Sequence, residues 1–565
     1  MKSLVFTLFL SAALFAQNQY PTDYFRAPLD IPLFLSGSFG ELRANHFHAG
    51  LDFKTQQKEG WPVHAAADGY VVRIKISPYG YGKAIYVNHP NGFTTVYGHL
   101  SKANGAIEAY IKAAQYAQQN FEVELFPKPE ELPVLKGDTI AFSGNTGGSG
   151  GPHLHFEIRD TFTEKILNPM LFGFMAKVAD TRKPIITALM AYPIGTESLI
   201  NQCHKPLAIN VALQPDGNYI ADKILVKGKV GFGIGAYDVT DSNYTKSGIF
   251  SVQAFANGNQ SFGYQFDTFA FDEGRYVNAL LDYSRFKNTG MRIQQLYMER
   301  PYPLSIIRSD DKNGILEAVP NLSQTYKIKV ADAHSNEVNI DVPLDFSDLP
   351  AVDATPDVKK TPYYLKSGND NNYSKDDVSV FIPADTFYDD FYLNFDVKNG
   401  KLTLQDDSVP VQKNMTITFT DTKSAEADKD KMFIASLDGK KLSYNPTTRK
   451  GNVFTSYTKN LGEFVLAKDT IAPTIKAVNF KEGKWLSKQN TLVLSIRDNL
   501  SGVKTYNGTL NGKWILFEYD YKTRSITHFF DDGIFEDGRN DLKVTVSDNV
   551  GNSAIFETHF FRKKQ

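Results

Sequence analysis

The histidines of this chain are concentrated in one part of it. The sequence holds 11 histidines in 565 residues. Seven of them lie between positions 46 and 155, namely His46, His48, His64, His89, His99, His153 and His155. An even distribution would place far fewer there. Imidazole is both the commonest metal ligand and a general acid or base near neutral pH, so the clustering indicates a chemical site.

Two of these histidines share one face of a predicted strand. His153 and His155 stand one residue apart in GPHLHFEIR, directly after a glycine-rich run. Because successive side chains of a strand point to opposite faces, both imidazoles project the same way. Leu154 and Phe156 then face the core on the other side.

A second motif, HAGLDF, supplies a histidine and a carboxylate. His48 and Asp52 stand four residues apart, and Gly50 between them lets the backbone bend so that the two side chains converge. Two imidazoles and one carboxylate are the ligand set of a catalytic zinc ion, with a fourth position left for water. The remaining histidines would be free for acid–base work. Each motif alone is a weak signal; together, with YGHL between them, they are a strong one.

The elements that must position these groups are mainly β-strands. VHAAADGYVVRI, KAIYVNHPNGFTTVYGHL and DTIAFSG alternate apolar with other residues, and Asp-Gly and Asn-Gly mark turns between strands. The interruption is NGAIEAYIKAAQYAQQNF, whose apolar residues follow the i, i+3, i+4 spacing of an amphipathic helix. The predicted fold class is therefore mainly β.

Five segments together resemble the lysostaphin/LytM-type zinc endopeptidases, which cleave peptidoglycan peptides. They occur in that family's order over about residues 35–172: FGELRANHFHAGLDF, PVHAAADGYV, NGFTTVYGHL, LKGDTIAFSGNTG and GPHLHFEIR. The resemblance implies a β-rich peptidase domain that hydrolyses peptide bonds with a zinc-bound water as nucleophile.

The same resemblance assigns the site residues. It implies one Zn²⁺ per chain, bound by His48, Asp52 and His155, with His99 and His153 carrying the catalysis. How these two divide the work is left open. All five positions are filled, which argues against a degenerate, non-hydrolytic member. The departure from the family is an insertion at about 104–133, directly after His99, which could line or cover the groove and leaves substrate specificity open.

Other polar residues near the motifs receive plainer interpretations. His46 resembles a ligand by position, but HAGLD supplies the better-spaced pair. For Arg43 and Asn45 a loop role is favoured over contact with substrate. His64 and His89 are expected to pack beside turns. The acidic pairs Asp389-Asp390 and Asp531-Asp532 could bind calcium, although turn and surface roles are favoured.

The chain is too long for one core, and composition divides it. The predicted organisation is a signal peptide at 1–16, a LytM-like peptidase domain at 17–178, an Ig-like β-sandwich at 185–345, a β-rich accessory domain at 350–467 and a second Ig-like β-sandwich at 470–563. The two sandwiches rest on a shared pattern. Asp238 precedes a Ser-Gly-Ile and a segment ending at Asn336, as Asp498 precedes a Ser-Gly-Val and a segment ending at Asn552.

The N-terminus predicts export. Lys2 precedes an apolar run from Leu4 to Ala16 that is too short to span a bilayer comfortably, which is typical of a signal peptide; a retained anchor is the alternative. After its cleavage no membrane span is expected. The single cysteine, Cys203, excludes a disulfide within the chain and a cysteine metal cluster. The predicted location is the periplasm or the cell surface.

The predicted function is hydrolysis of peptide cross-links in peptidoglycan, as a D,D-endopeptidase. The accessory domains are expected to anchor, orient or restrain the enzyme, with cell-wall or envelope proteins as candidate partners. A net charge of −2 gives no sign of a nucleic-acid partner. Two alternatives remain: a non-hydrolytic protein that activates another wall hydrolase, and a surface adhesin with a vestigial peptidase module.

Overall fold

The computed structural model describes residues 20–241, 245–355 and 359–564. The predicted signal peptide at 1–16 lies outside these residues. Strands make up 46% of the structure and helices 8%, which confirms the mainly β fold class. In the described part of the chain, no helix combines the length and the apolar character needed to cross a bilayer.

The first region contains the histidine cluster and is built on a ten-stranded sheet. Its strands are β1 (Leu35–Gly37), β2 (Leu42–Arg43), β3 (His46–Phe47), β4 (Leu51–Lys54), β5 (Pro62–His64), β6 (Gly69–Ile76), β7 (Lys83–Asn88), β8 (Phe93–Leu100), β9 (Lys102–Ala103), β10 (Val123–Leu125), β11 (Pro133–Val134), β12 (Thr139–Phe142), β13 (His153–Asp160) and β14 (Ile166–Leu167). Short 3₁₀ turns at Pro169–Phe172 and Met175–Lys177 end the region.

Strand β13 lies at the centre of that sheet, between β4 and β8. Its antiparallel register sets His155 opposite Asp52 on one side and opposite Gly98 on the other. Leu154 and Phe156 are fully buried. The alternation of the strand therefore anchors it through its apolar face while the histidines share the other face.

The insertion after His99 is helical only in its first half. Helix α1 (Gly105–Gln118) buries Ile107 and Ile111 against the sheet and ends where Gln119 adopts a left-handed conformation. The chain then returns as β10 and β11, which pair with β6. The insertion thus extends the sheet as well as adding a helix.

The second region forms a twelve-stranded sheet. Its elements are β15 (Ile185–Ile200), β16 (Leu207–Ile209), β17 (Val211–Leu213), β18 (Tyr219–Ala221), β19 (Ile224–Tyr237), β20 (Ser251–Ala256), β21 (Asn259–Gln265), β22 (Thr268–Phe269), α2 (Val277–Leu280), α3 (Tyr283–Thr289), β23 (Gln294–Gln295), β24 (Ile307–Ser309), β25 (Leu316–Glu317), β26 (Gln324–Ala331) and β27 (Glu337–Phe346), with a 3₁₀ helix at Phe271–Tyr276. Strand β22 pairs with β14 and so belongs to the sheet of the first region.

The first two regions also share a hydrophobic core. The ring of Phe39 packs on Phe269 at 4.9 Å between centroids, and Phe47 packs on Phe266 at 5.4 Å. All four side chains are at least 97% buried, and full burial of a phenylalanine contributes about 1.5–3 kcal/mol. The sheets of the first and second regions are therefore stabilised together.

The third region has two five-stranded sheets. Its elements are β28 (Tyr364–Leu365), β29 (Asn371–Lys375), β30 (Val378–Ile382), β31 (Phe391–Tyr392), β32 (Phe395–Lys398), β33 (Lys401–Leu404), β34 (Met415–Thr420), α4 (Glu426–Lys429), β35 (Met432–Asp438), β36 (Lys441–Tyr444), β37 (Thr447–Lys450), β38 (Val453–Thr458) and β39 (Gly462–Lys468).

The fourth region has two four-stranded sheets that enclose a core of their own. Its strands are β40 (Thr474–Ala477), β41 (Thr491–Arg497), β42 (Val503–Leu510), β43 (Lys513–Trp514), β44 (Glu518–Asp520), β45 (Ser525–Phe529), β46 (Gly538–Asp548) and β47 (Ser553–Arg562), with a 3₁₀ turn at Phe530–Asp532. The Ig-like assignment of the second and fourth regions stays a prediction.

Candidate metal centre

Three side chains predicted to bind a metal converge beside β13. Nε2 of His48 lies 3.0 Å from Oδ1 of Asp52 and 3.1 Å from Nδ1 of His155. The third side of the triangle, from His155 Nδ1 to Asp52 Oδ1, is 2.8 Å. All three residues are at least 97% buried. This group can hold a metal ion.

The outer nitrogens of both imidazoles are hydrogen-bonded to acceptors. Nδ1 of His48 lies 2.7 Å from the carbonyl oxygen of Ser38, and Nε2 of His155 lies 2.8 Å from Oε1 of Glu157. Because a carbonyl and an ionised carboxylate only accept, each outer nitrogen must carry the hydrogen. Metal binding requires both rings to be neutral. The inner nitrogens are then lone pairs, and with Asp52 Oδ1 they make three acceptors facing one another. Such a donor set fits a divalent cation, and outer-nitrogen bonds of this kind typically orient metal-binding histidines.

Glu157 stays ionised although it is fully buried. Burial alone would raise its pKa, but the Arg159 guanidinium and the His155 ring lower the pKa of Glu157 to about 2. Arg159 contacts Glu157 Oε2 at 2.6 Å, and the Tyr81 hydroxyl donates to Oε1. The Tyr81 ring also stacks on His155 at 4.9 Å between centroids. These contacts fix both the charge of Glu157 and the plane of the His155 ring.

The second oxygen of Asp52 is held by Arg43. The Arg43 guanidinium donates to Asp52 Oδ2 at 2.8 Å and also reaches Glu41. Burial would raise the pKa of Asp52, but the neighbouring His48, His153 and His155 rings bring that pKa well below its usual value. Arg43 therefore does more than shape the loop, since it positions a candidate ligand.

His99 and His153 lie side by side next to this triangle. Their ring centroids are 4.7 Å apart, and Nε2 of His153 is 3.5 Å from Asp52 Oδ1. Nδ1 of His99 donates to the carbonyl of Thr146 at 2.8 Å, and Nδ1 of His153 donates to the carbonyl of Gly151 at 2.8 Å. Each neutral ring consequently presents Nε2 as an acceptor.

The backbone of His99 is unusual. Its φ is 59°, in the left-handed region that few residues other than glycine adopt. Its N–H donates to the carbonyl of Tyr81 at 2.8 Å. Burial, followed by the charges of His155 and His153, lowers the pKa of His99 to about 3. Backbone strain of this kind is concentrated at functional sites, where the surrounding fold holds it.

The remaining candidates lie outside the cluster. His46 is exposed and its Nδ1 contacts the carbonyl of Ala44, while His64 contacts Gly137 and Asp30. His89 lies between the carbonyl of Asp68 and the hydroxyl of Thr95. Asn45 accepts a hydrogen bond from Asn278 of the second region. Asp531 and Asp532 contact helix α1 through Lys112 and Tyr116, and Asp390 accepts from Ser367.

The fourth region reaches the glycine-rich segment beside His153. Lys522 donates to the carbonyl of Asn145 and, at 3.2 Å, to that of Ser149. The Ser149 hydroxyl is in turn 3.1 Å from Nδ1 of His153. A second contact joins Lys83 to Glu518 at 2.8 Å. One wall of the site is thus supported by a part of the chain more than 350 residues further on.

Sequence reasoning missed Ser38, Glu157, Tyr81 and Thr146. Of these, only Glu157 carried a readable signal. It follows His155 by two positions on β13, so the same alternation that paired His153 with His155 puts Glu157 on their face. The other three act through backbone carbonyls or from distant loops, which no local pattern encodes.

Comparison with known proteins matches two parts of the chain to families. Residues 46–169 match the model of Peptidase family M23, and residues 362–469 match that of the Zu5-like domain. The first match confirms the resemblance inferred from the sequence: the chain contains a peptidase M23 domain.

Curated relatives align with the same part of the chain. A DD-carboxypeptidase/endopeptidase Mpg of Neisseria meningitidis is 39% identical over 112 residues, which are 20% of this chain and 20% of the relative. An uncharacterised metalloprotease of Haemophilus influenzae is 37% identical over 123 residues, 22% of this chain and 20% of the relative. The peptidoglycan DD-endopeptidase ShyA of Vibrio cholerae is 32% identical over 139 residues, 24% and 26% of the two chains. The chain therefore spans only about a fifth to a quarter of these relatives.

Among solved structures, the catalytic domain of lysostaphin from Staphylococcus simulans is 29% identical. The alignment covers 24% of this chain and 87% of that domain, with a TM-score of 0.18. A zinc-containing peptidase from Vibrio cholerae is also 29% identical, over 24% of this chain and 36% of that one, with a TM-score of 0.18.

Proposed function

We propose that this chain is a zinc-dependent endopeptidase that hydrolyses peptide cross-links of bacterial peptidoglycan. The observation that carries the proposal is the triangle of three acceptor atoms from His48, Asp52 and His155, each oriented by its own outer hydrogen bond. The M23 match and the relatives named as DD-endopeptidases support the reaction and the substrate class.

His48, Asp52 and His155 would hold the zinc ion. When bound, the ion would supply Lewis-acid activation of water and of the scissile carbonyl. Two nitrogens and one carboxylate oxygen match the ligands of catalytic zinc and leave a position open for water or substrate. Arg43 and Glu157 hold the ligands in place from behind, since each contacts one ligand on the side away from the triangle.

His99 and His153 would move the protons. Each ring has its Nδ1 hydrogen committed to a backbone carbonyl and its Nε2 available to accept. A proton taken from water by one ring can be returned to the leaving amine, and a protonated ring can stabilise negative charge that develops on the carbonyl oxygen.

We also propose that the chain acts in the periplasm or at the cell surface. A D,D-endopeptidase that cuts cross-links acts outside the cytoplasm, which agrees with the predicted export. The regions beyond residue 185 would orient and restrain the peptidase domain. The contacts of Lys522 with the glycine-rich segment and of helix α1 with the fourth region support that role.

The test combines metal content with catalysis on the same samples. Purified chain and His155→Ala are assayed for zinc and for release of cross-linked peptides from peptidoglycan. We expect one zinc per chain, and loss of both zinc and release in His155→Ala. His64→Ala is the matched control, because His64 is a shielded histidine of the same domain outside the triangle. A folded, zinc-supplied chain that binds no zinc would overturn the proposal of a zinc enzyme and favour the non-hydrolytic activator. Bound zinc without peptide release would overturn the proposed substrate.

A further inference from the structure

Six aspartates outside the catalytic site form two separate clusters. The first acidic cluster is Asp180, Asp238 and Asp332; the second is Asp469, Asp498 and Asp548. In each cluster, three carboxylate oxygens lie within 4.8 Å of one another. Five of the six side chains are buried, and Asp498 is half-buried. Like charges held this close in a protein interior are unfavourable unless something positive lies between them.

The two clusters are the same arrangement built twice. The first aspartate of each stands in the connector before a strand, β15 or β40. The second aspartate directly follows a strand in both clusters: Asp238 follows β19, and Asp498 follows β41. The third lies at the end of a long strand: Asp332 directly follows β26, and Asp548 is the last residue of β46. The repeat noticed in the sequence therefore brings together corresponding carboxylates.

An asparagine completes both clusters in the same way. Nδ2 of Asn336 donates to Asp332 Oδ2 at 2.8 Å and to the carbonyl of Asp180 at 3.2 Å. Nδ2 of Asn552 donates to Asp548 Oδ2 at 2.7 Å and to the carbonyl of Asp469 at 3.0 Å. The asparagine fixes the third carboxylate against the first connector, but it leaves the second carboxylate unneutralised.

That second carboxylate has an unused oxygen in both clusters. Oδ1 of Asp238 is buried and has no hydrogen-bond partner, and the whole residue is 96% buried. Oδ1 of Asp498, the corresponding atom, is also buried without a partner. A buried carboxylate oxygen left unpaired costs several kcal/mol, about as much as losing a buried charged hydrogen bond. The repetition of the same unpaired atom indicates a ligand that both clusters share.

We propose that each acidic cluster binds one Ca²⁺ ion. The donors are carboxylate oxygens without imidazole or thiolate, which is the donor set of hard cations and differs from the zinc triangle. Ca²⁺ accepts six to eight oxygens in flexible geometry, so three aspartates with nearby carbonyls and water suffice. The competing occupant is a proton, because burial and then repulsion from Asp180 and Asp332 raise the pKa of Asp238 to about 8.

The positions of the clusters say what the ions would do. The first cluster ties the connector that leaves the peptidase domain to two strand ends of the second region. Asp238 pairs through its backbone with Ser247. The next residue, Gly248, donates its N–H to the Ser38 hydroxyl at 2.8 Å, and the Ser38 carbonyl accepts from Nδ1 of His48, so a short chain of contacts joins this cluster to the zinc triangle. The second cluster ties the third region to the fourth, and Asp469 accepts the N–H of Ser501 there. Calcium at both junctions would fix the regions relative to one another.

The experiment measures the calcium content of the full chain. Protein stripped of metal on a chelating resin and reloaded with one equivalent of zinc is equilibrated with CaCl₂, and calcium and zinc are measured together. We expect two calcium ions per chain, one in Asp238→Asn, one in Asp498→Asn and none in the double variant, with zinc unchanged throughout. Calcium should also raise the unfolding temperature of the unsubstituted chain.

Asp421→Asn is the matched control. Asp421 is buried and has an oxygen without a hydrogen-bond partner, but it belongs to neither cluster. It should keep two calcium ions. The proposal is overturned if the unsubstituted chain binds no calcium at millimolar concentration, or if binding survives both substitutions. A chain that binds none, and that Asp238→Asn stabilises, would show that the first cluster holds a proton.

Discussion

His155 and Glu157 lie two residues apart on one face of β13, with His155 Nε2 2.8 Å from Glu157 Oε1. The strand that supplies a candidate zinc ligand therefore also supplies the group that determines which ring nitrogen carries its hydrogen. Because Glu157 is fully buried and kept ionised by Arg159, that hydrogen bond has no competitor in water.

Glu157→Gln should weaken zinc binding while leaving the three ligands in place. The neutral amide no longer supports the Nε2 hydrogen of His155, and loss of such a supporting group typically costs about 10–100-fold in metal affinity or activity. Competition with a chromophoric chelator measures the affinity. Glu130→Gln, an exposed carboxylate of the same domain, should match the unsubstituted chain; equal affinity in both variants would contradict the role of Glu157.

Zinc affinity should fall as the pH is lowered. Burial lowers the pKa of His155, but the carboxylates of Asp52 and Glu157, which accept hydrogen bonds from the protonated ring, outweigh burial and raise the pKa to about 9. A proton and zinc compete for the same nitrogen below that pH, so each displaced proton should reduce apparent affinity by up to about tenfold per pH unit. Zinc titrations at pH 6, 7 and 8 check this, and a flat profile would be the contrary result.

The stability of the zinc-free chain should have the opposite pH dependence: it should decrease as the pH rises. Since the folded pKa of His155 is raised above the ordinary value of 6.5, its protonated form stabilises the zinc-free fold. That contribution is fully present below pH 6.5 and is lost as pH rises through about 9. Denaturant unfolding of zinc-free protein should therefore give lower stability at pH 9 than at pH 6.5, and the difference should shrink in His155→Ala.

Two variants can test separately the proton transfer by the His99 side chain and the strain in the His99 backbone. His99→Asn and His99→Ala should both lose peptide release, since neither can transfer a proton as imidazole does. They should differ in stability, because asparagine tolerates the left-handed backbone that His99 adopts and alanine does not. We expect His99→Ala to unfold about 1 kcal/mol more easily than His99→Asn. Equal unfolding midpoints would show that the φ of 59° is not strained.

Lys522 should control the mobility of the glycine-rich wall. Lys522→Ala removes the donor to the carbonyls of Asn145 and Ser149, so amide exchange over residues 144–151 should become several-fold faster. Lys504→Ala, an exposed lysine of the same region, is the control. Since Ser149 contacts His153, Lys522→Ala should release peptide more slowly because its KM is higher. Unchanged amide exchange would show that Lys522 does not support the glycine-rich segment.

The sequence was informative wherever chemistry followed a short local pattern. The alternation of HLH, the spacing of HAGLD and the period of α1 all reported side chains whose neighbours along the chain set their direction. The strands of the first region and the five histidine and aspartate positions followed from these patterns and from the resemblance to a family.

What could not be read depends on contacts distant in sequence. Ser38 holds His48 through a backbone carbonyl, which any residue type supplies. Arg43 reaches Asp52 because the chain turns back between β2 and β4, which no local pattern encodes. The clusters around Asp238 and Asp498 were visible as a repeat, but their first members, Asp180 and Asp469, looked like linker residues.

The pairing of β14 with β22 limits how the peptidase M23 domain can be transferred to another protein. The family match ends at residue 169. The sheet that carries His155 nevertheless continues from β14 to β22, whose residues Thr268 and Phe269 lie almost 100 residues later. A chain cut after the matched segment would expose an unpaired strand edge and the apolar faces of Phe39 and Phe47. Recombination that transferred the matched segment alone would therefore separate the domain from the strand and the apolar side chains that complete its sheet and core.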